Sequence, residues 1–149
     1  MNLNERLTED MKAAMKAGPA GRQRLETIRF LRAAIKNAEI EKHAPLSDDE
    51  ILGIITKQVK QLRESLADFQ RSGRQDLVEK TEAEIAVLSE YLPEQLSADE
   101  VRDLARKVIA QVGAQGARDM GKVMGPLMAQ VRGRADGKMV QQIVKELLG

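Results

Sequence analysis

A chain of 149 residues suits one ordinary domain or two small ones, with a moderate buried core. It has no cysteine and a net charge of +1. Disulfides, thiolate metal sites and a thiol nucleophile are therefore excluded, and global charge selects no partner. Aromatic residues make up 2% against 42% hydrophobic and 32% charged, so Leu, Ile, Val, Met and Ala must build the core, which favours helices.

The apolar spacing is helical nearly throughout. Leu3, Leu7, Met11, Ala14 and Met15 form a first stripe, closed by Gly18 and Pro19. Leu25, Ile28, Leu31, Ile35 and Ala38 form a second, ending near His43-Ala44-Pro45. Ser47 to Glu50 reads as a capping box. In such a box the serine oxygen and the glutamate each satisfy a backbone N–H at the helix start. Ile51, Ile55, Val59, Leu62, Leu66 and Phe69 then run up one seam, and Val78, Thr81, Ile85, Leu88 and Leu92 run back after the turn at Ser72-Gly73. Two long seams joined by a short turn predict an antiparallel hairpin, with the two short N-terminal helices packing across it.

Pro93 disfavours helix for Leu92 before it, and Ser97 to Glu100 is a second capping box. These signals divide the chain into an N-terminal helical domain, 1–93, and a C-terminal domain of three helices, 97–149. The three stripes of the latter are Val101–Val112, Met120–Val131 and Val140–Leu148. No alternation of period two survives over a useful length, so the expectation is an all-α, multihelical fold without a sheet.

Charge is unevenly spread. From Ser97 onward there are nine Lys or Arg against six Asp or Glu, leaving the rest of the chain slightly acidic. The C-terminal part is thus the better partner for an anion. The opening MNLNERLTEDMKAAMKAG lacks the apolar region of a signal peptide, and no stretch approaches the roughly 20 apolar residues of a membrane span. A cytoplasmic protein that does not act at a membrane is expected.

GARDMGKV, residues 116–123, matches the spacing of a phosphate-binding loop. That loop needs a preceding strand and a following Ser or Thr for magnesium. Here Val123 stands in that place and helix precedes, so the stretch reads as a helix junction with Asp119 as its cap. His43, the only histidine, sits where a helix end offers carbonyls and a favourable dipole, and reads as a cap rather than a catalyst. The carboxylates are scattered among Lys and Arg on exposed faces. No catalytic residue, cofactor or metal site is assigned.

Basic residues carry the remaining candidates. Arg29, Arg32 and Lys36 form one row on the second helix. Lys57, Lys60 and Arg63 make a similar row on the hairpin. Such rows are ordinarily solvated surface, but Arg29, Arg32 and Lys36 are candidate nucleic-acid contacts. The densest cluster lies in VRGRADGKMV, residues 131–140. Gly133 is placed to take a left-handed helix end and Asp136 to cap the next helix with its carboxylate. Arg132, Arg134 and Lys138, with Lys122 nearby in sequence, add cations to a helix N-terminus that is already electropositive. All three turn cations are expected to face solvent, and a phosphate backbone is their natural ligand.

GKVMGPLMAQVRGRADGKMVQQIVKELL resembles the C-terminal tail module shared by the YqeY proteins and the B subunit of glutamine-dependent aspartyl/glutamyl-tRNA amidotransferase. RLETIRFLRAAIKNAEIEK, KQVKQLRESLADFQRSGRQDL and LSEYLPEQLS resemble the free-standing YqeY proteins specifically. The resemblance implies two all-α parts. It also implies contact with tRNA through the tail, the amidotransferase keeping its chemistry in a catalytic domain for which this chain has no counterpart. The expected role is a noncatalytic tRNA-binding or tRNA-enzyme accessory protein. Its partners would be tRNA and a tRNA-charging or amidotransferase enzyme. The alternatives are a protein-interaction adaptor, or a component of a carbon–nitrogen ligase with glutamine as amido-N-donor.

Overall fold

Side-chain oxygens set three of the seven helix starts. In the computed structural model, which describes residues 1–149, the Asn2 side chain accepts from the Glu5 N–H at 2.8 Å and opens α1 (Leu3–Lys16). Both serine capping boxes form. Ser47 exchanges bonds with Glu50 at the start of α3 (Asp48–Arg71), and Ser97 with Glu100 at the start of α5 (Ala98–Val112). Between α1 and α3 lies α2 (Arg22–Lys42), which at 21 residues is a long helix rather than the short one expected. His43 ends it in the left-handed region (φ 59°), and the capping bonds are donated by its backbone N–H to Glu39 O and Ile40 O, not by the imidazole. The remaining helices are α4 (Gln75–Ser89), α6 (Met120–Val131) and α7 (Gly137–Leu148), and no strand is present.

The chain divides into two compact units, Met1–Leu92 and Pro93–Gly149. In the first, α3 and α4 form the hairpin, α2 lies against both, and α1 packs on α2. Leu7, Ile28, Leu31, Ile51 and Ile55 are fully buried at its centre. Met15, expected on the buried stripe, is 52% exposed, whereas Val87, outside every predicted stripe, is buried. The turn after α1 is a short 3-10 helix, Gly18–Gly21. Glycine is required at its end: a Cβ on Gly21 would stand 2.2 Å from the Ala14 carbonyl oxygen.

A polar clamp closes this unit. Tyr91 is buried, its hydroxyl donates to the Asp10 carboxylate, and the Arg6 guanidinium lies over its ring at 4.6 Å. Arg24 donates two bonds to the Glu90 carboxylate, at 2.5 and 3.0 Å. Those bonds hold the Glu90 carboxyl below its ordinary range, and burial, with the Asp10 bond, pushes the Tyr91 phenol up. The end of α4 is thereby tied to α1 and α2.

In the second unit α5, α6 and α7 pack pairwise on one another. Val101, Ala105, Val123, Leu127, Val131, Val140 and Val144 are fully buried, so the predicted stripes supply this core. Pro126 lies inside α6 on its exposed face, where its missing N–H deletes one helical bond.

Candidate nucleic-acid interface

The turn between α6 and α7 is held by its backbone and by the segment leading into α5. Arg134 N–H donates to Val131 O at 2.8 Å, which folds the chain back immediately after the helix. Gly133 takes φ 75°, the left-handed value that its position after the last helical turn requires. Residues 93–96 then lie along the turn. Leu96 N–H donates to Arg134 O at 2.8 Å, and the Gln95 side-chain amide donates to Gly133 O at 2.8 Å.

That arrangement separates the predicted cations. Arg132 and Lys138 are exposed. Arg134 is half-buried, contrary to the expectation that it faces solvent, and its Nε donates to Glu94 O at 3.2 Å. Its charge also helps to hold the Glu100 carboxyl down, although the main cause there is the N–H bond from Ser97. A guanidinium has five donors, so this structural use leaves others for a ligand. Lys122, in the first turn of α6, is exposed and stands 3.6 Å from the Asp119 carboxylate.

The two aspartates predicted as caps do not cap. Asp136 occupies the N-cap position of α7 with extended backbone, but makes no side-chain cap bond. Asp119 stands before α6, and its carboxylate instead accepts from the Gln115 N–H at 2.9 Å, closing the preceding loop. That bond is the chief reason its carboxyl lies below the ordinary range. Arg132 and Lys138 lie on either side of the α7 start in sequence, and the Asp136 carboxylate stands between them at the N-cap position.

Arg29, Arg32 and Lys36 lie on α2 in the first unit. Arg29 and Lys36 are exposed. Arg32 is half-buried, with Nη1 3.4 Å from Met11 Sδ, so it spans the α1–α2 seam. Phe30, 72% exposed, lines an open groove among α2, α3 and α4. Its signal was its absence from every apolar stripe.

The model of the Yqey-like protein family matches residues 4–148. The chain belongs to the YqeY family. Over 147 residues it is 33% identical to "Altered inheritance of mitochondria protein 41, mitochondrial" of Pyrenophora tritici-repentis, spanning 97% of this chain and 80% of the relative. The protein of the same name from Eremothecium gossypii is 39% identical over 87 residues, 58% of this chain and 46% of its own length. A shorter likeness, 43% over 54 residues, is to a glutamyl-tRNA(Gln) amidotransferase subunit from Thermococcus gammatolerans, covering 34% of this chain and 9% of that relative.

For this member of the YqeY family the mitochondrial names overturn the expected cytoplasmic location. That expectation rested on the lack of apolar segments. No helix here is long and apolar enough to cross a membrane, and this says nothing about which compartment holds the chain.

Proposed function

We propose that this YqeY-family protein is a noncatalytic tRNA-binding or tRNA-enzyme accessory protein whose C-terminal unit contacts the phosphate backbone. The observation that carries the reading is the pair of exposed cations, Arg132 and Lys138, on either side of the start of α7. Lys122 extends the surface, and Arg134 is chiefly the strut that holds the turn. The likeness to an amidotransferase component with tRNA in its name supports the same choice of ligand. Three aromatic residues in the whole chain, one of them the buried Tyr91, offer little for stacking single-stranded bases. Recognition is then by backbone and shape, and a tRNA-charging or amidotransferase enzyme is the natural protein partner.

Titration of bulk tRNA with the full chain at several salt concentrations tests this. Wild type binds at low salt and weakens steeply as salt rises. Arg132→Glu combined with Lys138→Glu lowers affinity and reduces the log–log salt slope by roughly 1.5 to 2, one counterion contribution per lost contact. A wild type that ignores tRNA at low salt, or a double variant that binds equally well, refutes the reading.

A further inference from the structure

The seam between α1 and α2 carries a site of its own, on a different unit from the turn proposed to meet RNA. An open cleft of about 300 Å³ lies there, lined by Asn4 on α1 and by Arg32, Lys36 and Glu39 on α2. Positions 32, 36 and 39 are spaced by four and three, so the three charged side chains share one face of the helix.

Arg32 is the unusual member. Four arginines of the chain are half-buried: Arg24, Arg32, Arg102 and Arg134. Arg24 donates to the Glu90 carboxylate, Arg102 to that of Asp99 and Arg134 to the Glu94 carbonyl, all of them oxygen acceptors. Arg32 has only the Met11 sulfur, 3.4 Å from its Nη1. A thioether is a weak acceptor, and a guanidinium carries five N–H donors. No fully buried side-chain nitrogen lacks a partner, so the remaining donors of Arg32 are reachable from the cleft that it lines. Withdrawing a cation from water without an anion is unfavourable, and a bound oxyanion reverses that cost. Lys36, exposed in the same cleft, forms no ion pair, and the Asn4 side-chain amide adds a neutral donor.

We propose that this cleft binds the phosphoryl group of a small phosphate ester, with the Arg32 fork and the Lys36 ammonium on its oxygens. A planar fork beside a point charge suits a group whose several oxygens only accept. Glu39 limits the length of the ligand. Its carboxylate lines the cleft beyond Lys36 and accepts from the Leu46 N–H at 3.0 Å, so it is a fixed negative charge at that end. A single phosphate answers the two cations, whereas a polyanion continued along α2 meets the carboxylate.

NMR titration of the full-length chain with ribose 5-phosphate tests this, read at the Arg32 Nε–H and the Asn4 backbone amide. Both signals shift saturably, and inorganic phosphate competes for the same site. Arg32→Met keeps an apolar stem against Met11. It weakens binding, read at Asn4, about tenfold without changing helicity or Tm. Glu39→Gln tightens binding about threefold, because a carboxamide oxygen still accepts from Leu46 while the repelling charge is gone. No saturable shift, equal binding by Arg32→Met, or unchanged or weaker binding by Glu39→Gln overturns the proposal. So does saturation by an oligoribonucleotide alone, which gives the cleft to a nucleic-acid backbone.

Discussion

Arg134 and Glu94 are joined across 40 residues of sequence: the guanidinium Nε donates to the Glu94 carbonyl at 3.2 Å. The bond fastens the segment entering α5 to the turn between α6 and α7. It acts with the Leu96 and Gln95 bonds to the same turn. A residue that reads in sequence as one cation of three is thus a brace.

Arg134→Ala is therefore expected to destabilise the C-terminal unit by about 1 kcal/mol, the usual net worth of such a bond. It should also speed proteolysis between Pro93 and Leu96. Arg134→Lys does not restore the bond, since an ammonium on a longer stem lacks the fixed Nε–H. Thermal melting and limited digestion of the two variants measure this; unchanged rates of cleavage in both would show that the brace holds nothing.

Gly21 and Gly53 should respond in opposite directions to alanine. At Gly21 the new methyl meets the Ala14 carbonyl at 2.2 Å, a backbone atom that cannot rotate away. A loss of about 2 to 3 kcal/mol is expected there, as for overpacking in a tight site. Gly53 lies exposed inside α3 with nothing within 4 Å, so alanine stabilises by about 0.5 to 1 kcal/mol through helix propensity. Denaturant midpoints decide it, and a stabilised Gly21→Ala would mean that the α1 turn is looser than its geometry.

Glu50 contributes to the acid sensitivity of the N-terminal unit. Lys42 donates to its carboxylate at 2.6 Å and the Ser47 N–H at 3.1 Å, which hold its carboxyl down at about 2. A depressed folded value means that the stabilisation is complete above the ordinary value of 4.5 and is lost as pH falls toward 2. In Glu50→Gln the Tm deficit relative to wild type should be full at neutral pH and shrink across that window. A deficit that stays constant down to pH 2 would show that the carboxylate charge is not what stabilises the helix start.

What the sequence determined by itself was everything that acts within a few residues. Helical spacing placed the core stripes, from Ile51 and Ile55 on α3 to Val140 and Val144 on α7. Both serine capping boxes were legible because Ser and Glu meet across three positions. Family membership was legible too, since it is a matter of residues in order. The tertiary structure decided what depends on distant neighbours. Asp136 and Asp119 have the residue type of a cap, yet neither carboxylate makes the cap bond, because its geometry depends on how the preceding loop folds. Arg134 became a brace because a carbonyl 40 positions away reached it. Phe30 lies outside the core, on the side of α2 that lines the groove with Thr27 and Leu88. Local patterns follow from backbone periodicity, whereas burial and hydrogen-bond partners follow from which elements meet.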